Sequence, residues 1–406
     1  MLAETIKNIN ARIILNSRAE KTIEVDIITS HWQCATSSVP SGKSTGSFEA
    51  KSSDPEIAIE NINHIKSKLI GMDIFDQAGF DKFLIELDGS PDKSVLGANT
   101  ILALSECLTK VASISLKIPT YHYIRSRLLK NPDHFFQLPI PCFNVINGGL
   151  HADSGLPFQE FMLIPKIKST FKENFFAIAN IYHKLKNILA ENNYSTGLGD
   201  EGGFAPKIND YWQVFDLLKK SIEDSGFSLG KDIFLGIDAS ADNIQNMDNN
   251  ELIQIYSKMI AQYNVIYLED GCKETDEENW KILMDKFSSR CLIIGDDLIA
   301  TNINRLKNAI NKKLVNAIII KPNQIGTISE VIEVCNLAHE NNIKIIVSHR
   351  SGETNDNFIA DFAIAIQAHG FKSGAPARGE RLAKYNRILK IEENLKNTSE
   401  YNILRL

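Results

Sequence analysis

The chain has 406 residues, of which 43% are hydrophobic and 23% charged, with a formal net charge of −6. The balance is that of an ordinary globular protein, and the length exceeds the roughly 250–300 residues at which single cores stop growing, so two domains are expected. A small net negative charge argues against a nucleic-acid partner, and no run approaches the ~20 apolar residues of a membrane span.

The opening segment MLAETIKNINARIILNSR lacks the apolar core of a secretory signal, so a cytoplasmic location is expected. Three β-like runs follow, at 11–17, 22–30 and 32–39, and their polar separators suggest a small antiparallel meander. Helical periodicity is clearest at 54–70 and 97–117, where Ile101, Leu102, Leu104, Cys107, Leu108 and Val111 recur at helix spacing. The stiff segment Leu138-Pro139-Ile140-Pro141 then marks a boundary between a first domain, 1–137, and a second, 138–406. The cysteines Cys34, Cys107, Cys142, Cys272, Cys291 and Cys335 are scattered without a CxxC pair, which predicts buried reduced thiols rather than a zinc site or disulfides.

Beyond about residue 230 β-branched runs alternate with amphipathic helices. The strands are 233–237, 265–268, 292–294, 317–320 and 343–347, with helices at 277–287, 302–313 and 327–341 between them. Such alternation implies a parallel sheet, either doubly wound or closed into a barrel.

A titratable residue ends each of these strands: Asp238, Glu269, Asp296, Lys321 and His349, at intervals of 25 to 31 residues. One such carboxylate would read as a helix cap or turn residue. Five in register are delivered to one edge of the sheet, where parallel α/β proteins place their active sites. Three converging carboxylates repel unless a cation joins them, and an all-oxygen set favours a hard ion such as Mg²⁺. Lys321 behind them suggests a base whose pKa falls beside cations, the competing reading being an ion pair with Asp296 or Asp297. Gly42-Lys43-Ser44-Thr45 imitates the end of a nucleotide-binding loop, but the glycine such a loop requires at position 37 is Ser37.

The segments SGKSTG (41–46), NGGLHA (147–152), QEFM (159–162), GDEGGFAP (199–206), GDDL (295–298), KPNQIGT (321–327), SHRSGET (348–354) and GAPARGERLAKYN (374–386) resemble, in that order, the enolase family. The resemblance runs from about Ile6 to the C-terminus. It implies an enolase-type eight-stranded α/β barrel, its second strand antiparallel, with an N-terminal α+β capping domain. The implied activity is that of a Mg²⁺-dependent lyase interconverting 2-phosphoglycerate and phosphoenolpyruvate in glycolysis and gluconeogenesis.

Matched motif by motif, Asp238, Glu269 and Asp296 hold a first Mg²⁺, and Ser44 helps hold a second that arrives with substrate. Lys321 removes the C2 proton, and Lys372 helps stabilise the charge this creates. Glu201 protonates the departing C3 hydroxide with Glu160 beside it, so one of the two carboxyls should carry a proton. Arg350 and Ser351 grip the phosphate, Gln159 and Glu160 contact substrate, His151 closes over it and His349 lines the pocket near Lys372. The family also implies a homodimer, and the matching interface positions, Arg12 with Glu380 and Glu24 with Lys390, are charge-complementary.

Three departures from the family pattern stand out. Asn16-Ser-Arg-Ala-Glu-Lys-Thr22 replaces DSRGNPT, KSSDPEIAIE (51–60) replaces a longer acidic stretch, and Lys43 stands where the family has a small residue. Lys43 is expected to point into solvent. These departures motivate a rival reading, a sister enzyme acting on a phosphonate analogue, against which Arg350, Ser351, Lys372 and His151 are all retained. A non-catalytic scaffold is the other rival, and it has no need of Lys321, Glu201 and three metal carboxylates.

Overall fold

The computed structural model describes residues 4–43, 46–130, 135–166, 170–396 and 401–403, so the expected metal-loop residue Ser44 lies outside the described residues. Alternating burial builds the first sheet. In β2 (Lys21–Thr29) the side chains of Ile23, Val25 and Ile27 point inward and are fully buried. This strand pairs antiparallel with β1 (Ile6–Leu15) and β3 (Cys34–Ser38), the expected meander with boundaries shifted by a few residues. Its inner face packs on the helix Ala98–Ser115, which is buried over most of its length. The helix Pro55–Leu69 begins where the Asp54 side chain accepts from the Glu56 amide, with proline at the first turn. Five of the six cysteines are buried and all six are free, but Cys34, at the start of β3, is exposed rather than buried.

A short β4 (Phe136–Leu138) pairs in parallel with β13 (Tyr401–Ile403), joining the start of the second domain to its end. Eight strands between them close a barrel in chain order: β5 (Ile140–Asn147), β6 (Glu160–Pro165), β7 (Ile233–Asp238), β8 (Val265–Glu269), β9 (Leu292–Gly295), β10 (Ala317–Ile320), β11 (Lys344–Ser348) and β12 (Gly370–Lys372). The barrel, not the doubly wound sheet, is the outcome. Closure leaves no edge to protect, and it explains why these strands are buried on both faces rather than alternating.

β6 runs antiparallel to both neighbours while the remaining barrel pairs are parallel, as the family pattern implied. Reversal has a functional consequence. The first residue of β6, Glu160, lies opposite Asn147 and Asp238, the last residues of its neighbours. An antiparallel strand thus delivers a carboxylate from its N-terminal end to the face where the parallel strands end.

Candidate active site

At that face Asp238, Glu160, Asp296, Lys321, His349 and Lys372 line one cavity together with His151, Gln159, Glu201, Arg350 and Ser351. Glu269, fully buried, meets the cavity-lining Lys372 at 2.8 Å. All five strand-end residues predicted by spacing converge, and so do the described residues matched by motif.

The carboxylates are partnered by lysines. The Lys372 ammonium lies 2.8 Å from Glu269, 3.1 Å from Glu160 and 3.3 Å from Asp238, while Lys321 contacts Asp296 directly. Burial and the neighbouring Asp238 push Glu269 up to about 8. Against the pull of burial, Glu160, Glu269 and Asp238 hold the Lys372 ammonium well above the ordinary lysine value. The fall expected of Lys321 beside cations concerns the metal-loaded site; here its pKa is raised, burial pulling it down and Asp296 and Glu269 acting the other way.

A second cluster faces the first. Glu201 lies 3.5 Å from His151 and 3.4 Å from His349, and accepts from Asn144 at 2.9 Å. Against burial, His151 and His349 hold Glu201 well below the carboxylate range. Burial and the Glu201 charge push Glu160 well above it. The two carboxyls are thus pushed apart, Glu160 up and Glu201 down. His349 is driven down to about 3 by burial, and the Arg381 guanidinium donates to its Nδ1 at 2.6 Å. The ring is neutral with its proton on Nε2, which faces Glu201.

Several functional neighbours escaped the sequence reading. Arg381, fully buried, donates to the carbonyls of Arg350, Ser351 and Asp200 at 2.6, 2.6 and 3.0 Å, and so ties the segment carrying Arg350 and Ser351 to the turn carrying Glu201. Its signal was its place inside GERLAKYN, which periodicity alone does not single out. Gln324 donates to Asp296 at 3.0 Å, and Asp270 accepts from the amides of Asp296 and Asp297 at 2.9 and 3.0 Å. Gln159 donates to Asp238 at 3.2 Å, so it orients a metal candidate as well as lining the cavity. Lys43 is exposed, as expected, yet its ammonium donates to the Leu150 carbonyl at 2.6 Å.

The donor set fits a hard cation. It is all oxygen at Asp238, Glu269 and Asp296, and the fold already draws two ammonium groups against these carboxylates. Among the described residues, however, these three are not a set whose donor atoms all lie within 4.8 Å of one another. Asp270, Asp296 and Asp297 bring one oxygen each within 4.8 Å of one another, as do the donor atoms of His151, Glu160 and Glu201. Glu160 Oε2 is buried without a hydrogen-bond partner among the described residues.

Comparison with known proteins agrees with this geometry. The family model for the enolase N-terminal domain matches residues 6–124, and that for the enolase C-terminal TIM barrel domain matches 135–250 and 240–405. An enolase of Ehrlichia ruminantium (strain Gardel) is 41% identical over an alignment of 418 residues, covering 98% of this chain and 98% of the relative. An enolase of Helicobacter pylori (strain J99) is 40% identical, with 97% of this chain and 96% of the relative covered.

Proposed function

Because the chain belongs to the enolase family, whose lyases interconvert 2-phosphoglycerate and phosphoenolpyruvate, we propose a division of labour for that reaction among its own residues. Asp238, Glu269 and Asp296 hold one Mg²⁺, and a second arrives with substrate. When bound, the metal supplies positive charge opposite the substrate carboxylate and the charge that gathers there as the C2 proton leaves.

Lys321 takes that proton, which requires Asp296 to release its ammonium first. Lys372, held among three carboxylates, keeps a fixed cation beside the developing negative charge. Arg350 and Ser351 seat the phosphate, and His151 and Gln159 complete the walls. Departing hydroxide needs a proton, and the buried Glu160–Glu201 pair holds one between them. With substrate in place Glu201 delivers it, Glu160 sharing it across the pair. Neutral His349 stands beside Glu201, its Nε2 3.4 Å from the carboxylate.

The observation that carries this reading is that Lys321, Glu160, Glu201 and Lys372 line one cavity, with Lys372 also 2.8 Å from the buried Glu269. Formation of phosphoenolpyruvate from 2-phosphoglycerate, with and without Mg²⁺, tests it against Lys321→Ala. Loss of a positioned base lowers turnover on the order of 10²–10⁴-fold. A Lys321→Ala enzyme with full turnover overturns the base assignment.

The domain boundary is placed at 137/138, and the protein is taken as a cytoplasmic homodimer. Free cysteines fit a reducing compartment, and among the described residues no helix is long and apolar enough to cross a membrane. For the dimer, β1 exposes Ile13 and Leu15 beside Arg12. Within one chain Arg12 pairs with Glu24 and Asp26, and Glu380 with Arg378, so association exchanges these partners. A monomeric mass in light scattering at micromolar protein refutes it.

A further inference from the structure

Lys43 touches the chain neighbours of two site residues and a third site residue directly. Its ammonium donates to the carbonyl of Leu150, the residue before His151, at 2.6 Å. The same nitrogen lies 3.6 Å from the carboxylate of Asp200, the residue before Glu201. Its backbone amide donates to Ser351 Oγ at 2.9 Å. A small residue at position 43 retains only the last of these contacts.

The other groups around Asp200 do not duplicate the link. Arg18 Nε stands farther off, at 3.9 Å, and the same guanidinium is engaged through Nη2 by Glu20 at 3.0 Å. Arg381 holds the Asp200 carbonyl and leaves its carboxylate to other partners. Lys43 alone among these cations reaches the 148–152 segment as well. We propose that Lys43 is a positioning residue that fastens the segments carrying His151 and Glu201 to one another before substrate arrives.

Its physical effect is preorganisation. Segments already held in place have less to order when substrate binds, which favours a lower KM and leaves the chemical step largely alone. Because the contact is charge-assisted and partly exposed, salt weakens it. The inference rests on the lyase reading for its kinetic arm only.

Two measurements test it. In steady-state kinetics Lys43→Met, which keeps the aliphatic stem, raises KM for 2-phosphoglycerate by about tenfold with kcat changed by less than about threefold. Lys43→Arg restores most of the loss, and Asp200→Asn adds little to Lys43→Met because both remove one contact. High salt narrows the gap between wild type and Lys43→Met. Independently of activity, amide hydrogen exchange in the substrate-free protein is faster over 148–152 and 199–203 in Lys43→Met than in wild type. Unchanged exchange in both segments overturns the proposal, as does an unchanged KM in an active wild-type background. If wild type shows no turnover, the lyase reading fails while the exchange arm still decides the role of Lys43.

Discussion

Glu49 engages both terminal nitrogens of Arg350, Oε2 on Nη1 at 2.9 Å and Oε1 on Nη2 at 3.1 Å, and both side chains are buried. The arginine assigned to substrate phosphate is therefore already paired with a carboxylate from the segment that follows the SGKSTG loop. Gly42 permits the arrangement, since a Cβ there would come within 1.9 Å of Arg350 Nη2.

Removing Glu49 leaves a buried guanidinium without this counter-charge. Breaking such a pair from one side costs about 3–5 kcal/mol, so Glu49→Ala is expected to lose stability of that order in phosphate-free buffer. Inorganic phosphate, which can replace the lost negative charge, should recover part of the loss and stabilise the variant more than wild type. Denaturant unfolding with and without phosphate checks this; an equal response of the two proteins to phosphate would rule out Arg350 as the anion site.

Glu106 gives a pH signature away from the catalytic cavity. Burial, with help from Asp356, pushes its carboxyl up to about 8, and Ser37 donates to it at 2.8 Å. The folded state thus binds a proton that the unfolded chain releases near the ordinary glutamate value of about 4.3. Stability from this group is complete below that value and is lost as pH rises through the folded value. Glu106→Gln keeps the shape without the charge, so its stability should fall less than wild type between pH 5 and 9, with the variant gaining on the order of a few kcal/mol at the alkaline end. Parallel slopes for the two proteins would show that Glu106 does not titrate in this window.

How much of this was legible in sequence depended on the range of the interactions. The strands from Ile233 to Ser348 announce themselves as β-branched runs between amphipathic helices, and local pattern placed them to within a residue or so. β5 contains Pro141, which argues against a strand, and β12 has only three residues, so closure of the barrel rather than local preference decides both. The site divides the same way. Asp238, Glu269, Asp296, Lys321 and His349 are readable because each ends a strand. Glu49 is not, because its partner lies 301 residues away. Nor is the fate of Lys43, which depends on two loops that no local pattern brings together.

The turn after β1 holds a small conformational anomaly. Asn16 Oδ1 accepts from the amides of Arg18 and Glu20 at 2.8 and 3.1 Å, and the residue between them, Ala19, takes φ 58°. This is left-handed backbone, costly for alanine by about 1–2 kcal/mol, at a position where the family motif has glycine. Glycine would remove that cost but adds freedom to the unfolded chain worth about 0.4–1 kcal/mol. Ala19→Gly is accordingly expected to be neutral or to stabilise by up to about 1 kcal/mol, measured by thermal or denaturant unfolding. A clear loss of stability would mean that the alanine methyl makes contacts outweighing the strain.

If Asp296 holds the metal as proposed, Lys321 and the ion compete for the same carboxylate. Its ammonium contacts Asp296, and because Asp296 raises the lysine pKa against the effect of burial, the ammonium persists across neutral pH. On that reading Mg²⁺ binding at Asp296 displaces it, so part of the intrinsic metal affinity is spent on separating the pair. Lys321→Met removes the competitor while leaving Asp238, Glu269 and Asp296 in place. The base is lost and turnover collapses, yet calorimetric titration should show Mg²⁺ binding tighter than in wild type by about tenfold, the equivalent of about 1.4 kcal/mol. Asp296→Asn should do the reverse, weakening Mg²⁺ binding and abolishing most of the stabilisation the ion gives, which for wild type is about 2.7 kcal/mol at a hundredfold excess over Kd. Unchanged or weaker Mg²⁺ binding in Lys321→Met would mean that Asp296 serves the lysine alone and that the ion sits elsewhere.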